Sequence, residues 1–236
     1  MLARNIARWT GTAFLCIVGT ARAAVVSYSD AIAAANLPST LTEGAWESSS
    51  NLYLFAEGQN VALAEPLAVD VMHSGTYDDF RLPALLPYGG SIAAGTIVDS
   101  FLLHFAPLGQ PKKSEGVTLN ASITFAGEIL GLLLRNPTLV AADSAFGHFA
   151  AYPDSGQRGP DRAEDVITLS ADRRTLTVSL SEWNDLDQFR IVTMAVPEPA
   201  TWTLAALGFI IVLRSGLRGR SARGLSSQER GDARER

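Results

Sequence analysis

The stretch DVITLSADRRTLTVSL, residues 165–180, alternates apolar and polar positions with a period of two. Ile167 and Leu169 share one face against Val166 and Thr168. Leu176, Val178 and Leu180 share one face against Thr175, Thr177 and Ser179. Residues 170–174, with Asp172 as a turn former, lie between the two runs. The pattern predicts a β-hairpin with one buried face. Further strands are expected over 51–57, 60–64, 67–71, 95–106, 117–125, 129–134 and 187–195. Turn signals separate them at Glu57-Gly58, Ala64-Glu65-Pro66, Pro107-Leu108-Gly109 and Asn136-Pro137. Eight or nine short strands at this spacing predict an all-β fold, a jelly-roll-like antiparallel β-sandwich. Its core should hold Leu52, Leu54, Ile167, Leu169, Leu176 and Val178. Helical patterning is confined to 30–36 and 139–145, and no internal repeat is present.

The ends carry a different pattern. Residues 1–23 run from Arg4 and Arg8 through an apolar stretch, 10–20, to Ala21-Arg22-Ala23. Small residues at Ala21 and Ala23 suit signal peptidase, so a secretory signal peptide with cleavage after Ala23 is expected. No twin-arginine pair is present, which favours the general secretory (Sec) route. At the other end, Val196-Pro197-Glu198-Pro199 precedes a mostly apolar run, 200–213, and then Arg214, Arg218, Arg220 and Arg223. As a helix the run is about 21 Å long, short of a hydrocarbon core of roughly 30 Å. Its flanks extend its reach. The arginines can snorkel to a cytoplasmic surface, and Trp202 suits the opposite interface. Pro197 and Pro199 cannot continue a helix backwards. The expected layout is a signal peptide (1–23), an exported domain (24–195) and a C-terminal segment (196–236) with a transmembrane helix, 200–213, and an Arg-rich cytoplasmic tail.

The proline motif, apolar helix and arginine cluster, in that order, resemble the PEP-CTERM sorting signal of Gram-negative bacteria. The resemblance implies recognition by an exosortase, a transpeptidase-like membrane protease. It also implies passage through the inner membrane to the cell surface or matrix, in company with exopolysaccharide. The tail after Leu213 is longer and more mixed in charge than the family pattern. Within the domain, LPSTLTEGAWESSSNLYLFAEGQNVAL, SFLLHFAPLG, SITFAGEILGLLL and DQFRIVT resemble an uncharacterised group of exported bacterial proteins with the same tail. That likeness implies a shared fold and no assigned activity.

Charge sharpens the picture. The chain carries a net −5, but nine of the 19 basic residues and 20 of the 24 acidic ones fall within 24–196, a net of about −11. Such a domain repels nucleic-acid phosphates. The only cysteine is Cys16, inside the signal peptide, so thiol chemistry and disulfides are excluded from the domain.

Candidate chemistry is sparse. The sequence GGSIA around Ser91 lacks the last glycine of a nucleophile elbow. His73, His104 and His148 have no ligand spacing, and His104 reads as a half-buried strand residue. The acid pairs Asp78-Asp79, Asp161 with Glu164-Asp165, and Asp185 with Asp187 sit in loop-like sequence. In YPDSGQRGPDRAED, the acids Asp154, Asp161, Glu164 and Asp165 offer oxygen ligands for a structural calcium, although Arg158 and Arg162 can pair with them instead. Trp46, Tyr77, Tyr88, Tyr152 and Trp183 lie beside polar stretches, and Trp46 and Trp183 are the leading candidates for carbohydrate contact. The expectation is therefore a non-enzymatic exported surface or matrix protein without a required cofactor. A carbohydrate-binding module is the alternative, and a polysaccharide-active enzyme trails it.

Overall fold

The computed structural model describes residues 25–196, apart from 43, 110, 112–114, 147–149, 154–157, 161–163 and 184. Two five-stranded sheets face each other in a mostly-β sandwich. Sheet A runs β1 (Val25–Tyr28), β8 (Val117–Phe125), β11 (Thr175–Glu182), β10 (Val166–Leu169), β5 (Gly75–Tyr77). Sheet B runs β2 (Ile32–Asn36), β3 (Leu52–Ala62), β7 (Ile97–Phe105), β12 (Asp187–Met194), β9 (Ile129–Leu133). A separate ribbon pairs β4 (Leu67–Val69) with β6 (Gly90–Ile92). Two helices accompany them, α1 (Leu82–Leu85) and α2 (Asn136–Phe146). β2 runs parallel to β3, and the other strand pairs are antiparallel.

The two sheets are buried differently. Sheet A packs one face inward, so β8, β10 and β11 alternate between buried and less buried residues. Leu52, Leu54, Ile167, Leu169, Leu176 and Val178 all enter the inter-sheet core. Sheet B is covered on both faces, and eight of the nine residues of β7 are buried. Its outer face packs Val98, Leu133 and Val192 against Leu139, Ala142 and Phe146 of α2. Further along that face, Phe55 and Leu102 pack with Leu41. A strand buried on both sides loses its period-two signature.

Three sequence readings are corrected. Residues 30–36 were expected to be helical, yet 32–36 form β2, in register with Leu52–Ala56. Alanine favours a helix by well under 1 kcal/mol per residue, and a seven-residue helix lacks the length to repay its nucleation. Burying Ile32 and pairing with a central strand outweigh that preference. Secondly, Glu57-Gly58 is not a turn between strands. β3 continues through it with register shifts against β7, and Asn60 takes a left-handed backbone at φ 55. These irregularities are β-bulges, where one strand carries extra residues without ending. Asn136-Pro137, read as a turn, opens α2, where a first-turn proline suits the unpaired N–H positions.

The sandwich has two distinct ends. At one, Val25 pairs with Phe125, the Met194 N–H donates to the Glu128 carbonyl, and the Ala195 N–H donates to the Ile97 carbonyl. The chain therefore enters and leaves the fold at the same end, which also holds the turns 126–128 and 170–174. The far end holds the close of β7, the start of β8, the close of β11 and the start of β12. Among the described residues no helix is long and apolar enough to cross a membrane. The expected signal peptide with Ala21 and Ala23, the motif Pro197, Glu198 and Pro199, the helix 200–213 and Arg214, Arg218, Arg220 and Arg223 lie outside the described residues.

Candidate functional site

The densest polar chemistry lies on the outer face of sheet B, under α2 and the segment after it. β-pleating places Glu57 of β3, Ser100 and His104 of β7, and Gln188 and Arg190 of β12 on that one face. Arg190 is fully buried, and its Nε and Nη2 donate to the two Glu57 carboxylate oxygens at 2.5 and 2.8 Å. Its Nη2 also donates to Asp143 of α2 at 3.0 Å, and its Nη1 to the Leu139 carbonyl at 3.1 Å. Glu57 accepts further hydrogen bonds from the Tyr152 hydroxyl at 2.7 Å and the Ser100 hydroxyl at 2.9 Å.

The network continues along the sheet. Arg158 donates from Nη1 to Asp143 at 2.7 Å and from Nε to Gln188 Oε1 at 3.0 Å, with its guanidinium 4.2 Å from the Tyr152 ring centroid. That contact orients the Gln188 amide. Its nitrogen donates to His104 Nδ1 at 3.0 Å and to the Leu41 carbonyl at 3.0 Å. His104 is thereby fixed as the tautomer protonated at Nε2, which donates to the Ala45 carbonyl at 3.2 Å.

The electrostatics follow from enclosure. Burial opposes the Glu57 charge, but the Arg190 guanidinium and the hydrogen bonds from Arg190, Tyr152 and Ser100 outweigh it and hold the carboxyl below its usual range. Burial pushes the Tyr152 phenol far up, and the Glu57 charge adds to this. Burial pushes His104 down to about 4, so it is neutral at physiological pH. A base held ionised by a buried arginine, a neutral imidazole and a phenol that keeps its proton form a lock rather than a proton relay. The lock ties α2, Tyr152 and Arg158 onto sheet B.

The candidates for ligand binding gather at the far end instead. Trp46 lies in a loop tied to β7, because the Ser48 N–H donates to the Ala106 carbonyl and the Gly109 N–H donates to Glu47 Oε2. Trp46 is 39% exposed, and its ring meets Tyr53 and Phe55 edge-on, each at 5.2 Å between centroids. Its backbone is left-handed at φ 58, a sparsely populated conformation for so large a side chain. Trp183 follows β11 at the same end and is half-buried. Glu164 and Asp165 lead into β10 there too, with Asp165 buried and accepting the Ser181 N–H at 2.8 Å. Asp154 and Asp161 lie outside the described residues. No group of three or more His, Asp or Glu among the described residues is placed to hold a metal ion. Val196, the first residue of the expected sorting motif, lies at the opposite end.

Other candidates are dispersed. Ser91 sits on β6. Asp79 pairs with Arg81 at the surface, which brings it down to about 2. Tyr77 is buried and packs edge-on against the exposed Tyr88. Arg158 pairs with Asp143 on α2 rather than with Glu164 or Asp165. His104 is fully buried rather than half-buried. A cavity of about 360 Å³ opens between the edges of β1 and β2, lined by Val25, Ala34, Ala35, Leu54, Ala56 and Phe101, with none of these candidates beside it. Sequence reasoning missed Glu57, Asp143, Gln188 and Arg190. The one signal was Arg190 inside the apolar strand DQFRIVT. No family model matches the chain, and neither a curated protein nor a solved structure matches it.

Proposed function

We propose that this is an exported, non-enzymatic surface or matrix protein, sorted through its PEP-CTERM-like segment by an exosortase and associated with exopolysaccharide. One observation carries the reading. Among the described residues the last backbone hydrogen bond is at Ala195, two residues before Pro197-Glu198-Pro199. The motif therefore follows the last strand of the described fold without an intervening element. The proposed order is a signal-peptide helix, cleavage after Ala23, a transmembrane helix at 200–213 and retention of the arginines in the cytoplasm. The largely buried polar network that ties α2 to sheet B supports a scaffold role for the sandwich. Its jelly-roll character is proposed on the chain's repeated crossing between the sheets.

The test is Pro197→Ala with Pro199→Ala in a host that carries the exosortase. Proline restricts its own φ and that of the residue before it, and keeps the motif extended. The double variant should be exported but remain uncleaved in the inner membrane. Processing and localisation like the unaltered chain would defeat the reading.

The second reading, a carbohydrate-binding module, is favoured by Trp46. Its partly exposed ring rests on two aromatic rings in a strained backbone. Glycan-array binding that falls at least tenfold with Trp46→Ala, at unchanged stability, would support it. Binding without dependence on Trp46 would count against this site.

A further inference from the structure

The exit end of the sandwich carries exposed apolar side chains on a very short leash. Ile97 is 52% exposed, Met194 is 42% exposed, and Val26 of β1 is 65% exposed. Ile97 and Met194 are held rigidly there, because the Ala195 N–H bonds the Ile97 carbonyl and Met194 pairs with Val98. The two turns beside them carry Arg173 and Arg174 against Glu128 and Asp172, a neutral balance in a domain of net about −11. Only four residues, 196–199, separate Ala195 from the apolar run that begins at Ala200. Fully extended, four residues span at most about 14 Å. Two of them are prolines, which stiffen the link. The headgroup layer on one side of a bilayer is itself roughly 5–8 Å thick.

We infer that, while the chain is held by its C-terminal segment, the exit end of the sandwich rests against the lipid headgroup surface through Ile97 and Met194. The inference rests on the proposal that 200–213 enters a membrane. The leash gives the contact a high effective concentration, so it needs little intrinsic affinity. Isoleucine and methionine on a surface without net repulsion suit the headgroup boundary. The far end, with Trp46 and Trp183, then points away from the membrane.

Site-directed labelling tests this on the full chain. Cys16 is the only cysteine, so Cys16→Ser clears the background. Single cysteines go in by Ile97→Cys, by Met194→Cys as a second exit-end probe, and by Leu108→Cys, 64% exposed at the far end. The protein is reconstituted into vesicles of phosphatidylethanolamine and phosphatidylglycerol without exosortase. An impermeant maleimide is added, and each rate is divided by that of the same variant unfolded in urea. The expected result is flotation with the vesicles and labelling at least fivefold slower at Ile97→Cys and Met194→Cys than at Leu108→Cys. Flotation with equal rates at all three would overturn the contact alone, with an exosortase surface then left as the partner for this end. Failure to float would remove the membrane segment and the contact together.

Discussion

Arg190 is the residue on which the outer face of sheet B depends. It and Glu57 are both fully buried, so removing one partner strands the other charge away from water. Glu57→Gln should therefore lower unfolding free energy by about 3–5 kcal/mol in urea titration. Tyr152→Phe removes one hydrogen bond to the same carboxylate and should cost about 1.5–3 kcal/mol. His104 adds a pH dependence. Its folded-state value of about 4 lies below the ordinary 6.5, so between those values the unfolded chain binds the extra proton. Stability from this group therefore rises with pH across 4 to 6.5, and falling pH removes up to about 3 kcal/mol. His104→Asn should flatten the slope of urea midpoint against pH between 5 and 7, where carboxylates with lowered values do not titrate. An unchanged slope would mean that the imidazole is not held neutral. None of this pairing was legible in sequence. Glu57 and Arg190 lie 133 residues apart, and an arginine in a strand reads as solvent-facing until the covering layer is known.

The elements show why legibility differed between the two sheets. The β10–β11 hairpin has one dry and one wet face, and its alternation located it within a residue or two. β7 and β12 were found as apolar runs, but their second buried face was invisible because nothing in a run says what covers it. β1, β2, β5 and β6 were missed outright. They are three to five residues long, and edge or ribbon pairing rather than internal pattern makes them strands. What seats the covering layer is again one side chain. Asp70 is buried and accepts from the Leu134 N–H at 2.8 Å, the Arg135 N–H at 3.0 Å, Arg135 Nε at 2.8 Å and the Thr138 hydroxyl. It thus binds the free N–H groups where the chain turns into α2. Asp70→Asn should cost about 2–3 kcal/mol and speed amide exchange in α2 more than in β8 or β11. Uniform acceleration would show that α2 and the sheets open only together.

At the scale of the molecule, the domain is a sandwich with a fixed polarity and no thiol. Both passages of the chain lie at one end, and the residues offered for ligand contact lie at the other. The proposed export and sorting signals rest on linear sequence alone, whereas the polarity emerged only from strand register. It has a direct consequence for tolerance to change. The loop at Leu108 joins β7 to β8 at the far end, and its side chain is exposed. The turn at Gly127 joins β8 to β9 at the exit. A Cβ built on Gly127 would sit 2.0 Å from the Met194 carbonyl oxygen, so the turn is packed directly against the departing strand. Exposed loop tips accept insertions where the backbone around them carries few native contacts. An epitope inserted after Leu108 should leave export and processing within twofold of the unaltered chain, measured by pulse-chase and fractionation. The same epitope after Gly127 should break the Met194–Glu128 hydrogen bond, loosen β12 and reduce processed protein at least tenfold. Equal tolerance at both sites would mean that the exit end is not the structural junction between the fold and its proposed sorting segment.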